Sequence, residues 1–346
     1  MEIEQRLKGF AKLGKFLQKI INSYGEDIES DEVLLPVIQS EQYNNPWFTP
    51  DNIIHSLKGI THLLDYEGLE QWINSYKISL KNKNVGVIMA GNIPLVGFHD
   101  FLCVVLSGNR CICKLSSKDQ NLFTKITDIL ISIDPDFKET FEIRDSQLTD
   151  IDAVVATGSN NTSRYFEYYF GKYPHIIRKN RNSIAILDGN ETEEDFQKLS
   201  NDIFLYFGLG CRNVSKLMVP EGFNFNTFFE GIEHQSTQMQ HHKYMNNHDY
   251  YRSVYLLNQV DHLDNGFLIV KKDEGISSPL GVLFYQTYKK KEDISAYIEK
   301  NKDQLQCIVS NDNQYSFKTV PLGKSQLPEI NDYADNVDTM EFLISL

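Results

Sequence analysis

Short apolar runs and longer amphipathic stretches alternate along the chain from residue 84 to residue 310. The runs VGVIMA, CICKL, FEI, DAVVAT and SIAILD have the length of strands, and stretches of helical periodicity such as DQNLFTKITDILISI separate them. Strands that alternate with crossover helices are typical of parallel sheets, so the pattern predicts an α/β fold. A second series, KLMVP, FLIVKK, LGVLFY and LQCIVS, follows residue 211 and predicts a second lobe, with a boundary near residues 180–190.

The first 80 residues are predicted to be helical. The clearest helix start is TPDNIIHSLKGITHLL, in which Thr49 can cap the helix and Pro50 suits its first position. At 346 residues, the chain is longer than the roughly 100–200 residues of one ordinary domain, which also favours two lobes.

Charge and hydropathy exclude several classes of function. The formal net charge of -13 disfavours a nucleic-acid surface, because phosphate binding needs clustered cations. The N-terminal stretch MEIEQRLKGFAKLGKF has no apolar core of the kind found in secretory signals, which predicts a cytoplasmic protein. The most apolar window, VGVIMAGNIPLVGFHDFLCVVLSG, contains Asn92, His99 and Asp100, so we predict buried strand, loop and helix there rather than a membrane span.

Five cysteines at irregular spacing in a cytoplasmic chain predict reduced thiols rather than a disulfide framework. Four of them lie in apolar strands or in a helix and are predicted core residues: Cys103, Cys111, Cys113 and Cys307. Cys211 differs, because it follows two glycines in FGLGCRN, in a bend between a helical stretch and a strand. Arg212 and Lys216 nearby favour its thiolate, although spacing alone leaves a structural cysteine as the alternative.

The sequence contains no complete phosphate-loop or metal motif. LGKS at 322–325 resembles a Walker loop, but the position five before Gly323 is Lys318 rather than glycine, and no GxGxxG opens a helix after a strand. His234 and His241 would share one helical face. However, no HExxH or paired CxxC supplies a ligand set, so no metal is expected.

Four stretches occur together in the order and approximate spacing of the aldehyde dehydrogenase superfamily. They are AGNIP at 90–94, KLSSKD at 114–119, VATGS at 155–159 and FGLGCRNVSKLMV at 207–219. They cover residues 85–220, and the tail from VPLGKSQLP onward is also similar to the C-terminal part of one branch. The chain therefore resembles the LuxC-type acyl-CoA reductase branch of that superfamily.

The resemblance implies an aldehyde-dehydrogenase-like α/β fold. Residues 1–183 would form N-terminal helices and a Rossmann-like lobe that binds NADP(H), and residues 184–318 an α/β catalytic lobe. Residues 319–346 would return to the core or form an oligomer interface, which leaves a homo-oligomer open. Cys211 would lie in the cleft between the lobes.

The resemblance also implies roles for single residues. Cys211 matches the cysteine that attacks the substrate carbonyl. Asn92 matches the asparagine that, with the backbone N–H of that cysteine, holds the oxyanion. A turn residue is the alternative for Asn92. The implied cofactor set is Lys114, Ser116, Ser117, Lys118, Gly158 and Ser159. Without the resemblance, KLSSKD would be an exposed helix cap.

The identity of the cofactor is inferred from one position in this set. Relatives that prefer NAD commonly have an acidic residue three positions after the lysine, and Ser117 stands there in this chain. A hydroxyl beside Lys114 and Lys118 suits a 2'-phosphate better than a carboxylate would. NADPH is therefore expected in preference to NADH.

Two departures from the superfamily pattern bear on the reaction. Arg178 falls near the place of the glutamate that activates water in hydrolytic relatives, so a thioester on Cys211 should persist long enough to be reduced. Arg178, Lys179 and Arg181 could attract the phosphates of CoA, or form an exposed basic turn. SSPLG at 277–281 lacks the glutamate that contacts nicotinamide ribose in oxidising relatives.

The expected function is therefore reduction of a fatty acyl-CoA, or of a protein-bound acyl thioester, to the aldehyde by NADPH. Two alternatives remain open: a cysteine acyltransferase or thioesterase that uses no nicotinamide, and a non-catalytic binding relative.

Overall fold

The computed structural model describes residues 1–24, 33–312 and 314–346 of the chain. These residues divide into two compact units. The first unit comprises Met1–Asn180 and Glu329–Leu346, and the second comprises Arg181–Pro328. The chain thus passes from the first unit to the second after residue 180, and its last eighteen or so residues return to the first unit.

The helices and strands, numbered along the chain, follow the alternation predicted from the sequence. The helices are α1 Ile3–Ser23, α2 Leu35–Asn44, α3 Pro50–Leu63, α4 Tyr66–Asn74, α5 Phe98–Leu106, α6 Gln120–Ile133, α7 Asn160–Phe170, α8 Glu193–Phe204, α9 Phe225–Gly231, α10 His242–Leu257, α11 Lys291–Asn301 and α12 Thr339–Ser345. The strands are β1 Asn84–Ile88, β2 Arg110–Lys114, β3 Phe141–Ile143, β4 Ala153–Thr157, β5 His175–Arg178, β6 Asn182–Ile186, β7 Val214–Pro220, β8 Leu263–Asp264, β9 Ile269–Lys272, β10 Val282–Tyr288 and β11 Leu305–Val309.

The first unit contains a parallel sheet with the strand order β3-β2-β1-β4-β5. The middle residues of β1 and β2 and nearly all of β4 are buried, because helices pack on one face of the sheet, and Leu148, Ile151 and Phe170 pack on the other. This burial explains why these strands read in the sequence as continuous apolar runs. The strand order is that of a Rossmann-like sheet, in which the order reverses between β1 and β4.

The described N-terminal residues are largely helical, as predicted, and their apolar side chains share one core with β1 and β2. Helix α3 begins at Pro50, and the side chain of Thr49 accepts a hydrogen bond from the Asn52 N–H at 3.3 Å, which confirms the predicted cap. The C-terminal helix α12 also belongs to this unit. Arg178 at the end of β5 donates from Nη2 to the Thr339 hydroxyl at the start of α12, at 2.8 Å.

The second unit contains a six-stranded sheet with the order β11-β6-β7-β10-β9-β8, in which β8 alone is antiparallel to its neighbour. Its central strands are β6, β7 and β10; β6 and β7 are largely buried, whereas only the first three residues of β10 are buried. The chain therefore has the mixed α/β architecture that the sequence predicts.

Two features of the fold differ from the sequence prediction. The basic stretch HIIRKN, considered as a turn, contains strand β5, which pairs with β4. The helical stretch expected near residues 223–250 is divided into α9, a 3₁₀ helix over Glu233–Gln240, and α10. His234 lies in the 3₁₀ helix and His241 precedes α10, so the two histidines do not share a helical face.

Candidate active site

Three of the four sequence motifs leave neighbouring strands at the same edge of the first sheet. Ile88 of β1 is in register with Lys114 of β2 and with Ala156 of β4. The segments AGNIP, KLSSKD and VATGS thus all lie at the carboxyl ends of parallel strands. In doubly wound sheets, ligands bind at this edge, beside the point where the strand order reverses. That point lies between β1 and β4 here.

The loop after β1 displays Asn92 on a backbone that neighbouring polar groups hold. Asn92 is exposed, whereas Pro94 and Leu95 are buried. Leu95 has a φ of +57°, a conformation that L-residues rarely adopt. The hydroxyl of Ser56 donates to Pro94 O at 2.7 Å, and the Leu95 N–H donates to a carboxylate oxygen of Asp119 at 2.6 Å.

Asp119 connects this loop with the KLSSKD segment. It directly precedes α6, where an aspartate usually caps the helix, but its side chain makes no capping hydrogen bond and accepts from Leu95 instead. Burial raises the pKa of the Asp119 carboxyl well above its usual range, and Glu41 adds to this rise in pKa. The sequence reading missed this role, because the aspartate looks like an ordinary helix cap.

The two loops also approach each other at Gly91. A Cβ atom at this glycine would lie 2.4 Å from Ser116 Oγ and 2.7 Å from Ser116 Cβ. Such distances are far inside van der Waals contact, so Gly91 leaves space that the Ser116 side chain occupies. The Asn92 loop therefore rests directly on the turn that follows β2.

The residues implied as the cofactor set lie along this edge of the first unit. Lys114 is the last residue of β2, and its ammonium donates to Asp145 O. Ser117 and Lys118 are exposed in the following turn. Ser159 caps α7, because its hydroxyl accepts from the Thr162 N–H at 3.2 Å. Hydroxyls, two lysines and a helix N-terminus suit a phosphorylated ligand.

In the second unit, Cys211 follows a strained turn. After α8 ends, Tyr206 and Phe207 have φ values of +54° and +56°, and Gly208 has +79°. The left-handed conformation costs roughly 1–2 kcal/mol for each non-glycine residue, so the surroundings must hold this turn. Tyr206 is buried, and the Phe207 ring lies 4.1 Å from the ring of His241 between centroids.

Exposure separates Cys211 from the other cysteines. Cys211 is exposed and lies three residues before β7, at the amino end of the strand. Burial raises the pKa of the Cys103 and Cys111 thiols well above their usual range, and Cys113 is also buried. Cys307 is partly exposed, but burial raises its pKa to about 11, so it stays a thiol near neutral pH.

The electrostatic role predicted for Lys216 is not supported. Its ammonium is buried and donates to Asp273 O, Glu274 O and Gln286 Oε1, each at 3.0 Å. These acceptors use all three of its donors. Burial lowers the pKa of Lys216 to about 8. Lys216, which lies within β7, thus holds the turn at Asp273 and Glu274 that precedes the SSPLG segment.

The basic stretch that could attract CoA phosphates is also engaged elsewhere. Arg178 is buried and donates to Asp100 Oδ2 at 2.5 Å, within the first unit. Lys179 pairs with Glu167 at 3.0 Å. Arg178 is therefore neither a phosphate site nor part of an exposed turn, because its charge is compensated in the interior.

The LGKS segment likewise has an internal partner. The backbone N–H groups of Gly323 and Ser325 donate to the two carboxylate oxygens of Asp202, at 2.6 and 2.9 Å. A phosphate would have to displace this buried carboxylate. The segment therefore serves to attach the chain after β11 to α8.

Within residues 1–24, 33–312 and 314–346, no three His, Cys, Asp or Glu side chains are grouped so that they could hold a metal ion. None of the helices in the same ranges combines the length and the apolar character needed to cross a bilayer.

Comparison with known families identifies the chain. The sequence model of the family described as acyl-CoA reductase (LuxC) matches residues 51–224, slightly more than half of the chain, and this range contains all four motifs and Cys211. The chain belongs to the LuxC family. Its curated relatives include a long-chain acyl-protein thioester reductase from Photorhabdus laumondii subsp. laumondii, 21% identical over 305 residues. Another, from Vibrio harveyi, is 22% identical over 294 residues.

The alignments with these two relatives cover most of this chain but less of the relatives themselves. They include 77% of this chain and 61% of the Photorhabdus protein, and 73% of this chain and 58% of the Vibrio protein. The chain thus spans less than two thirds of the length of these relatives.

Solved structures show that this LuxC-family chain has the aldehyde dehydrogenase fold. Aldehyde dehydrogenase 21 from Physcomitrella patens, in complex with succinate, superposes with a TM-score of 0.67 at 14% identity, over 100% of this chain and 84% of that one. The P. syringae indole-3-acetaldehyde dehydrogenase AldA, in complex with NAD⁺ and IAA, gives a TM-score of 0.64 at 12% identity, over 91% of this chain and 73% of that one. The predicted fold is confirmed.

Proposed function

We propose that this LuxC-family chain reduces an acyl thioester to the aldehyde through an acyl-enzyme intermediate on Cys211. The exposure of Cys211 at a strained, firmly held turn carries the proposal, because the other cysteines are buried or held as thiols. Reactive groups are usually found on loops at the ends of helices and strands, where a rigid framework positions them. Membership of the LuxC family and the aldehyde dehydrogenase fold support the same chemistry.

The reaction has two steps. The Cys211 thiolate attacks the thioester carbonyl, a new S–C bond forms, and the C–S bond to the carrier breaks, so the carrier thiolate leaves and takes up a proton. When bound, a reduced nicotinamide supplies a hydride to the carbonyl carbon. The resulting thiohemiacetal on Cys211 loses the aldehyde and returns the thiolate. Asn92 and the Cys211 N–H are proposed to donate hydrogen bonds to the oxyanion.

The acyl donor is proposed to be an acyl-CoA, with an acyl-protein thioester as the second candidate. The family description names acyl-CoA, whereas the curated relatives are named acyl-protein thioester reductases. Parallel assays of aldehyde formation from a long-chain acyl-CoA and from the same acyl group on a carrier protein would separate the two donors.

NADPH is the proposed cofactor. Lys114 is the last residue of β2, and Ser117 and Lys118 lie in the turn that follows it. No carboxylate occupies the position of Ser117. Calorimetric titration should give tighter binding of NADPH than of NADH. Lys118→Ala should reduce that preference, and tighter binding of NADH by the unmodified chain would show that this turn does not hold the 2'-phosphate.

The acyl-enzyme tests the proposal most directly. Protein mixed with a long-chain acyl-CoA, but with no NADPH, should gain the mass of one acyl group on the intact chain, and NADPH should then release it as aldehyde. Cys211→Ser should abolish most of the adduct. Cys307→Ser is the matched control, because its hydroxyl can still donate to Ser183 as the Cys307 thiol does at 3.1 Å.

Each result has a distinct meaning. An adduct that persists in Cys211→Ser would place the nucleophile elsewhere. An adduct that hydrolyses without NADPH, with no aldehyde formed, would favour a thioesterase. The absence of adduct and of NADPH oxidation with both classes of donor would favour a non-catalytic binding protein.

A further inference from the structure

Two buried polar side chains hold the backbone on either side of Cys211. Asn213 Oδ1 accepts from the Gly210 N–H at 2.8 Å, and the Asn213 N–H donates to Gly210 O at 3.0 Å. The hydroxyl of Ser183 donates to Cys211 O at 2.9 Å. Asn213 is 2% exposed and Ser183 is fully buried, so neither side chain is available to solvent.

These hydrogen bonds determine the direction of the Cys211 N–H. The Gly210 carbonyl and the Cys211 N–H belong to the same planar trans peptide, so they point in opposite directions. The backbone N–H of Asn213 holds that carbonyl, and the side-chain Oδ1 of Asn213 holds the Gly210 N–H in the preceding peptide, so neither peptide plane at Gly210 can turn without breaking a hydrogen bond. The N–H of Cys211 is therefore directed before any substrate arrives.

Asn213 also holds the strained turn that precedes Cys211. Its amide nitrogen lies 3.1, 3.3 and 2.8 Å from the carbonyl oxygens of Asp202, Ile203 and Leu205 at the end of α8. Carbonyls in the last turn of a helix have no partner within the helix, so a side-chain donor there stabilises the helix end. One side chain thus connects the end of α8 with the residue before Cys211.

We infer that Asn213 is a positioning residue, which orients the Cys211 N–H as an oxyanion donor. The inference rests on the proposed function, because it assigns that N–H to the oxyanion formed when Cys211 attacks a thioester. Asn213 itself touches neither substrate nor cofactor in this assignment. A donor directed in advance needs no reorganisation when the charge develops.

The test compares two reactions of the same thiol. Acylation by a long-chain acyl-CoA passes through an oxyanion, whereas alkylation by iodoacetamide forms the S–C bond as iodide leaves and develops no oxyanion. Loss of the positioning contact should therefore slow acylation and leave alkylation nearly unchanged. Both rates are measured by intact-chain mass spectrometry without NADPH, so neither depends on turnover.

Asn213→Ala keeps the backbone N–H that binds Gly210 O but removes the side-chain contacts with the Gly210 N–H and the end of α8. Because Gly210 is then held on one side only, the acylation rate should fall by about ten- to a hundredfold, less than the roughly 10²- to 10³-fold that a full oxyanion donor is worth. Its alkylation rate should stay within about threefold. Asn265→Ala is the matched control, because Asn265 Oδ1 also organises a turn, accepting from the N–H groups of Phe267 and Leu268 at 3.2 and 2.9 Å. That turn joins β8 to β9, at the edge of the sheet. The acylation and alkylation rates of Asn265→Ala should both equal those of the unmodified chain.

Asn213→Ser, whose hydroxyl is too short to reach both Gly210 and α8, is the second variant if the alanine variant does not fold. Equal acylation rates in the unmodified chain and in a folded Asn213 variant would overturn the inference. So would a proportional fall in both rates, or failure of both variants to fold, which would assign Asn213 to stability alone. Absence of acylation in the unmodified chain, with alkylation intact, would instead refute the proposed function.

Discussion

Replacing Gly91 by alanine tests whether the position of the Asn92 loop matters for the reaction. The new Cβ would lie 2.7 Å from Ser116 Cβ, whereas carbon atoms in good contact are about 3.5 Å apart. The loop and the turn after β2 must therefore separate by about 0.8 Å. A displacement of about 1 Å in an active site can lower the rate about 10²-fold. We expect Gly91→Ala to lower the rate of aldehyde formation by about ten- to a hundredfold.

The assay is NADPH oxidation with a saturating long-chain acyl-CoA, together with the melting temperature of the variant. Gly59→Ala is the matched control, since it makes the same chemical change in α3, where a Cβ atom meets nothing within 4 Å. Alanine is a better helix former than glycine by about 1 kcal/mol, so this control should be slightly more stable and fully active.

A second substitution separates the steric effect from any other. Ser116→Gly removes the atoms that the new Cβ would strike, so the double variant Gly91→Ala/Ser116→Gly should be more active than the product of the two single effects predicts. Unchanged activity in Gly91→Ala would refute the reasoning. Additive losses in the double variant would show that the contact with Ser116 is not the cause.

Three further predictions use other residues of the two units. Asn92→Ala should lower turnover about 10²- to 10³-fold while cofactor affinity, measured by calorimetry, is unchanged; unaltered turnover would remove Asn92 from the mechanism. Lys216 has a pKa lowered to about 8, so the unfolded chain binds more protons above pH 8 and the unfolding free energy should rise from pH 8 to 10. Urea titrations should show that the unfolding free energy of Lys216→Met rises less over this pH range than that of the unmodified chain. Asp119 has a raised pKa, so its contribution to stability should fall as the pH rises above about 4, and this fall should be absent in Asp119→Asn.

The fold was predictable because both sheets are buried. Strands such as β1 and β4 read as apolar runs because both of their faces are covered, and the helices between them keep their periodicity. Strand β5 was not predicted, since its residues His175 and Arg178 are polar. Arg178 can be buried because Asp100, 78 residues earlier in the chain, and Thr339, 161 residues later, supply its partners. The sequence around Arg178 gives no indication of a partner this far along the chain.

The candidate site could be located by motif, but not its supporting contacts. Nearness in sequence suggested that Lys216 would act on Cys211, yet its ammonium binds carbonyls more than fifty residues further along the chain. Asp119 looked like part of an ordinary helix cap, and Asn213 was given no role of its own within the motif FGLGCRN. Their partners at Gly210 and at the end of α8, and at Leu95, become evident only when the loops are folded.

In each unit, buried polar side chains hold the backbone of a loop that displays a candidate catalytic residue. A loop that displays a polar or reactive side chain to solvent buries little apolar surface, so packing alone cannot fix its backbone. Asp119 and Ser56 hold the loop that displays Asn92, and Asn213 and Ser183 hold the one that displays Cys211. In both loops, residues with positive φ stay in place because buried side chains bind the neighbouring backbone. Substitutions at these buried anchors should therefore affect the reaction more than their distance from the substrate suggests.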